Sequence, residues 1–314
     1  MLFSILIAHY NNSVFLDECI NSVYAQTYTN WEIVLIDDES SDMFEQIIQK
    51  YTNHPHIRIY RNGTNKGCAF TKHKLASLAK GEIMAFLDPD DTLHPEALQV
   101  MVDAHIKNPE CSIINSTHFV CDANLAVQKI SEKPRPLPQN TPYLLLSDGS
   151  IHAFASFKKK KYDQTDGVTP VRKMDKAVDQ DFYYVLEEVG DVLYINKPLY
   201  YYRIHKGSIS NEGQEAAAMI SHNHLIEQAC RRRIANLKKT PGPESNTWIR
   251  KYRTRLYKVR ILNSFRERRW LMFIQSLLVY PFAGGMENII SYLKKIPKEG
   301  FVIFRRSFIE TYKH

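Results

Sequence analysis

Hydrophobic positions in the first hundred residues switch between two rhythms. Phe3-Ser4-Ile5-Leu6-Ile7-Ala8 is a short β-rich run, whereas residues 14–25 place Phe15, Cys19, Ile20 and Val23 at helical spacing. Glu32-Ile33-Val34-Leu35-Ile36 reads as a buried strand ended by Asp37-Asp38. Residues 41–51 read as a helix and 56–60 as a third, alternating strand. The Gly/Asn-rich loop 62–67 leads into a helix ending near residue 79, and Gly81-Glu82 turns into a strand over 83–87. Strands alternating with helices predict an α/β fold with a mostly parallel sheet covered on both faces.

Beyond Pro109 the pattern is looser. Strands are expected over 111–115 and 117–121, an extended Pro-rich linker over 133–138, and a polar, loop-rich stretch over 149–176 containing the basic run 158–161. A helix is expected from about Asp179 to Glu188, stopped by Gly190, and a strand over 192–195 before Pro198. From residue 212 on the pattern is helical, broken by Thr240-Pro241-Gly242-Pro243.

Composition adds a boundary. The chain has 314 residues and an ordinary globular profile, with no sign of disorder or of a disulfide scaffold. Its five cysteines are scattered and form no Cys-x-x-Cys, which removes a zinc ribbon or redox dithiol and fits reduced thiols in the cytosol. The apolar start lacks a basic n-region and a cleavage site, so it reads as a strand rather than a signal peptide. No segment reaches the roughly 18 to 20 apolar residues of a spanning helix. Residues 215–314 hold 20 Lys/Arg against 7 Asp/Glu, and residues 1–214 hold 21 against 27, an acidic front and a basic back.

In parallel α/β sheets, sites gather beyond the C-terminal ends of strands. Two acidic clusters fall there: Asp37-Asp38, and Asp88-Pro89-Asp90-Asp91. Asp88 and Asp90, two positions apart and kinked by Pro89, suit a hard divalent cation, which one or two carboxylates hold together with substrate phosphates. The same four residues also make good turn chemistry, so the fragment alone leaves both readings open. Asp37 and Asp38 are placed to accept hydrogen bonds from a base or ribose, or to cap the next helix. The loop Asn65-Lys66-Gly67 opens a helix bearing Lys72 and Lys74, a place for phosphate contacts or a plain helix start.

These blocks, taken in order, resemble glycosyltransferase family 2. Ser4 through Ala8-His9-Tyr10-Asn11 is similar to the family's opening strand and nucleotide loop. Asn30-Trp31-Glu32 through Asp37-Asp38-Glu39-Ser40-Ser41-Asp42 is similar to its next block, and Asn65-Lys66-Gly67 through Phe86-Leu87-Asp88-Pro89-Asp90-Asp91 to its third. Tyr200-Tyr201-Tyr202-Arg203-x-His205 resembles the closing block, and the whole covers about residues 1–211. The resemblance implies a GT-A fold over residues 1–213, followed by a basic, mainly helical region over 214–314. It implies an inverting transfer of one sugar from a nucleotide-diphosphate donor, a UDP-sugar being favoured, to a hydroxyl of a glycan or lipid-linked acceptor in bacterial surface polysaccharide synthesis, with Mn²⁺ or Mg²⁺. By the same resemblance Ala8, Tyr10, Asp37, Asp38, Lys72, Asp88 and Arg203 bind the donor. Asp90, Asp88 and His205 hold the metal, and Asp179 is the base, with Asp181 as the fallback. Lys72-His73 departs from the Ala-Arg-Asn common in the family, which keeps a charge but not the guanidinium fork. The Gln-x-x-Arg-Trp signature of processive synthases is missing, so single-sugar addition is expected.

Arg231-Arg232-Arg233, the cationic stretch 250–260 and Arg266-Glu267-Arg268-Arg269 are followed at once by the apolar 270–283. Basic beside apolar suggests an interfacial segment on an anionic membrane, and hence a cytoplasmic protein peripheral on the inner face of the membrane. An intramolecular or homodimer contact fits the apolar part equally well. No nucleic-acid partner is expected, since no nucleic-acid module is visible. Two alternatives stand beside the transferase. A sugar-nucleotide nucleotidyltransferase calls for a Gly-rich basic signature where Ala8-His9-Tyr10-Asn11 stands. A nucleotide-sugar-binding pseudoenzyme or membrane scaffold is opposed by the presence of Asp88, Asp90 and Asp179.

Overall fold

The computed structural model describes residues 1–165, 177–205 and 215–284. The chain divides into two compact units, Met1–Ser221 and His222–His314.

In the first unit the strands are β1 (Phe3–His9), β2 (Trp31–Asp37), β3 (Ile57–Arg61) and β4 (Ile83–Phe86), then β5 (Thr92–Leu93), β6 (Cys111–Cys121), β7 (Val127–Ile130), β8 (Ala155–Lys158) and β9 (Asp191–Arg203). The helices are α1 (Ser13–Tyr24), α2 (Phe44–Ile48), α3 (Cys68–Leu78), α4 (Ala97–Lys107), α5 (Tyr143–Leu146), α6 (Lys159–Tyr162) and α7 (Val178–Leu186). One sheet runs β3-β2-β1-β4-β8-β6-β9-β5, with β7 on β6. The first four strands pair in parallel, and β8 lies antiparallel between β4 and β6.

All seven residues of β2, and all of β1 but Ala8, are buried. That is the near-continuous apolar run expected of a strand covered on both faces. The exceptions to apolarity are paired. Ser4 Oγ donates to Glu32 Oε1 at 2.6 Å, the Arg58 guanidinium donates to Glu32 Oε2 at 2.8 and 3.1 Å, and the Lys80 N–H donates to Glu32 Oε1 at 2.7 Å. Burial raises the Glu32 carboxyl, but these donors and the Arg58 charge outweigh it and hold it below its ordinary value. Gly81 sits where a Cβ would lie 2.7 Å from both Leu2 O and Ser4 N, so only glycine lets the chain enter β4 here.

Four expectations are corrected. The helix expected over 41–51 shrinks to α2 plus one 3₁₀ turn, Gln49–Tyr51. The two strands expected over 111–121 are the single strand β6. The strand expected to stop before Pro198 continues as β9, because the register on β6 jumps there from Ser116↔Ile195 to Thr117↔Pro198. Such an irregularity relieves a proline of its missing ladder donor. The stretch 149–176, read as loop, contains β8 in the middle of the sheet with Ala155, Ser156 and Phe157 buried. Four residues are too few to show a period. The rest of that stretch, 166–176, lies outside the described residues. The expected linker over 133–138 is irregular chain tied back within the first unit, the Arg135 N–H donating to Ser150 O at 3.2 Å.

The second unit contains most of α8 (Glu215–Lys239), with α9 (Ser245–Arg266) and α10 (Trp270–Ala283). Leu225, Ile226, Ala229 and Cys230 are buried on α8, as are Ile249, Tyr252, Leu256 and Val259 on α9. Among the described residues no helix is long and apolar enough to cross a membrane.

Candidate active site

The acidic turn follows β4 at its C-terminal end. The Asp91 N–H donates to Asp88 O at 3.1 Å, closing a tight loop. Asp91 points inward, 2% exposed, where it accepts the Tyr200 hydroxyl and the Arg203 N–H, each at 2.7 Å. Burial, then Asp91 and Asp88, keep Tyr200 well above the ordinary phenol value, so it remains a donor. Asp91 thus pins the turn to β9, while Asp88 and Asp90 are left at the surface of the site.

Arg203 and His205 reach the turn from the end of β9. Arg203 was expected to meet the donor; its guanidinium lies against the turn instead. It donates to Asp90 O at 2.6 Å, Ala123 O at 2.7 Å and Glu18 Oε2 at 2.5 Å, and covers the Phe15 ring at 4.4 Å. At 3% exposure it is enclosed by these partners and holds the turn. His205 Nε2 is 3.0 Å from Asp90 Oδ2, and its ring tilts against Phe15.

Lys72 enters from α3 and Asp179 from the first turn of α7. The Lys72 ammonium donates to Asp179 Oδ1 at 2.6 Å and to Asp88 Oδ1 at 3.3 Å, with its side chain only 6% exposed. Burial works against the Lys72 charge, but Asp179 and Asp88 outweigh it and push the ammonium well above its ordinary value. Burial pushes Asp88 up; Lys72 pulls it down, and Asp179 and Asp90 push it up again. One lysine therefore joins two expected site carboxylates 91 positions apart in sequence.

Asp179 lines a cavity of about 130 Å³ together with Lys72, Asp88, His152, Tyr183 and Tyr202. Asp181, two residues on, is 2% exposed and does not line it. Composition and spacing gave no notice of His152, Tyr183 or Gln180 here.

The remaining expected donor contacts gather at the ends of β1 and β2. Ala8 is the next-to-last residue of β1, and Tyr10 just beyond the strand is 51% exposed. Asp37 is 2% exposed, its Oδ1 3.1 Å from His9 Nδ1 and its Oδ2 accepting the Ser40 N–H at 3.2 Å. Burial raises Asp37, and the bonds from His9 and Ser40 bring it below its ordinary value. Asp38 accepts Asn62 Nδ2 and the N–H groups of Lys66 and Gly67 at 2.7, 2.9 and 2.8 Å. It thereby fixes the loop that opens α3, where Gly67 has φ +88°. Both carboxylates organise the loops around this end of the sheet. Lys74 turns away, donating to Asn62 Oδ1 at 2.8 Å.

The donor chemistry suits a hard divalent cation. Asp88 Oδ2 and Asp90 Oδ1 accept no hydrogen bond from a described residue, while each partner oxygen is oriented by Lys72 or His205. Among the described residues no group of three or more His, Cys, Asp or Glu forms a closed metal cage. A nucleotide-bound Mg²⁺ or Mn²⁺ draws one or two protein carboxylates and takes its other ligands from phosphate and water.

Residues 4–165 match the model of glycosyl transferase family 2. Chondroitin synthase of Escherichia coli is 30% identical over 200 residues, 63% of this chain and 28% of that one. The chain spans between 21% and 28% of the length of the first synthases it matches. Among solved structures, S. aureus TarS 1–349 in complex with UDP-GlcNAc superposes with a TM-score of 0.57 at 16% identity, covering 90% of each chain. A mannosyltransferase from Pyrobaculum calidifontis, in complex with GDP-Man and Mn²⁺, gives 0.54 at 12% identity, covering 96% of this chain and 82% of that one. The fold is GT-A. The chain belongs to glycosyl transferase family 2, a family of sugar-transferring enzymes.

Proposed function

We propose that residues 1–213 form the catalytic region of an inverting glycosyltransferase that moves one sugar from a nucleotide-diphosphate donor to a hydroxyl of a glycan or lipid-linked acceptor in surface polysaccharide synthesis. The observation that carries this is the Asp88–Lys72–Asp179 bridge lining a cavity, with Asp90 and His205 paired two residues beyond Asp88. The named relatives support polysaccharide synthesis, and the UDP-GlcNAc and GDP-Man held by the structural neighbours support a nucleotide-sugar donor.

Asp179 accepts the proton of the acceptor hydroxyl as that oxygen attacks the anomeric carbon. Lys72 holds Asp179 in position and keeps it beside Asp88. Asp90 and Asp88 would hold Mn²⁺ or Mg²⁺, which would offset charge on the departing nucleoside diphosphate. His205 orients Asp90, and Arg203 with Asp91 keeps the turn rigid. With one base carboxylate and no covalent intermediate on the enzyme, attack by the acceptor oxygen as the nucleoside diphosphate departs is a single displacement with inversion. Tyr10, Ala8, Asp37 and Asp38 form the nucleoside end, with the two carboxylates shaping its loops.

The test is a donor screen across UDP-, GDP- and dTDP-sugars with Mn²⁺, following nucleoside diphosphate release. Asp179→Asn should retain donor binding in a thermal-shift assay and lose roughly 10²- to 10⁴-fold in transfer. Asp90→Ala should lose the metal-dependent part of donor binding. Full transfer by Asp179→Asn, with loss in Asp181→Asn, would move the base two residues along.

A further inference from the structure

Helix α10 is packed the wrong way round for a soluble protein. Its 14 residues carry no charge, and the two it buries are small, Ser276 and Ala283. Six of its large apolar side chains point outward: Leu271 is 73% exposed, Phe282 72% and Leu278 66%, with Trp270, Ile274 and Val279 also exposed, while Met272, Phe273, Leu277 and Tyr280 are half-buried. These positions recur at i, i+4 and i+8, so they form one continuous ridge along the helix. The opposite face, with Ser276 buried, packs on α9, and Phe265 of α9 holds Trp270 and Phe273 by ring contacts at 5.7 and 5.5 Å. The orientation is therefore built in rather than a frayed end. An unbroken apolar ridge of this kind marks a contact surface.

Charge decides what the contact is. Exposed Arg266, Arg268 and Arg269 stand immediately before α10, with Glu267 paired to Arg269 at 2.6 Å. Across residues 222–284 there are 14 Lys/Arg and 3 Asp/Glu. A second copy meeting the same face would bring two strongly cationic units together. A nucleic acid would satisfy the arginines and leave the ridge in water. An anionic bilayer satisfies both, with phosphates for the arginines and an acyl boundary for the ridge. At about 1.5 Å per residue the helix is roughly 21 Å long, short of the ~30 Å hydrocarbon core, so it lies along the surface rather than across it.

We propose that α10 is an in-plane membrane anchor, with Trp270, Leu271, Ile274, Leu278 and Phe282 sunk at the acyl boundary of an anionic bilayer and the preceding arginines at its headgroups. This stands apart from the transfer reading. Vesicle binding needs neither donor nor metal, and donor hydrolysis in solution needs no vesicle, so either can fail alone.

The experiment is co-sedimentation of the full chain with phosphatidylcholine vesicles, with and without about a third phosphatidylglycerol. Binding to the anionic vesicles should exceed binding to the neutral ones by roughly tenfold or more, and should weaken but persist at high salt. Leu271→Glu with Leu278→Glu should reduce it about tenfold or more, with an unchanged circular-dichroism melt because both positions are exposed. Leu271→Ser with Leu278→Ser is the milder control and should fall between. Trp270 emission should shift to the blue on binding, a shift absent in Trp270→Phe. Three results would each overturn the proposal: no sedimentation of the full chain; anionic binding that the Glu pair leaves untouched, which charge alone explains; or a vesicle-free dimer that the Glu pair dissociates, which gives the ridge to a second copy.

Discussion

At the scale of single residues, the buried charges sort into two kinds. Glu32 lies at the N-terminal ends of the strands, away from the acidic turn, and is answered on both oxygens by Ser4, Lys80 and Arg58. Its folded-state value lies below 4.5, so its stabilising contribution is fully present above that point and is lost as pH falls through the lowered value. Glu32→Gln is expected to cost about 2 kcal/mol near neutrality. The gap to wild type should begin to narrow below the unfolded value and close only below the lowered folded value, as urea titrations across acid pH would report; a pH-independent gap would show that packing, not charge, is what the residue supplies. Lys72 is the other kind. It serves two carboxylates of a working site, and Asp88 is left above its ordinary value in spite of it. The sequence placed Lys72 near phosphate by its helix alone. That it touches Asp179 depends on α3 and α7 meeting, which no local pattern encodes.

At the scale of elements, α7 shows how a site residue is held. Its apolar face sets Phe182, 1% exposed, among Phe86, Phe157 and Tyr162 at ring separations of 4.7, 5.9 and 5.7 Å. Phe182→Ala should destabilise the first unit by ~3–5 kcal/mol through the lost burial and the cavity left behind. Chemical denaturation measures this, and a loss under ~1 kcal/mol would mean that α7 is not anchored by that cluster. The helix itself was legible, since its apolar spacing and the stop at Gly190 are both local. Strand β8, which supplies Phe157, was not, because four residues among lysines show neither alternation nor a turn signal. For a similar reason local pattern ends β9 before Pro198. Proline ends a strand in isolation, and only the irregular pairing with β6 lets this one continue.

At the scale of the whole molecule, burial is uneven and so should be protection. Strand β2 is buried throughout, whereas all four residues of β7 are exposed on the sheet's margin. Native-state hydrogen exchange should find the slowest amides in β1 and β2 and fast exchange in β7. Protection of β7 equal to that of β2 would contradict this. The sequence by itself determined the alternation of β1 to β4 with their helices, the acidic ends of two strands, and the division into an acidic front and a basic back. Each of these follows from periodicity, spacing or charge within a short window. The tertiary structure decided what those residues face. It turned Arg203 from an expected donor contact into the prop beneath Asp90, set Asp38 to hold the loop before α3, and brought Lys72 between Asp88 and Asp179. It also turned the large side chains of α10 outward, which a hydropathy pattern marks as apolar but cannot orient. The physical reason is common to all four. A side chain's partners come from segments distant in sequence, and the free energy of burying or pairing it is defined only once those segments have packed.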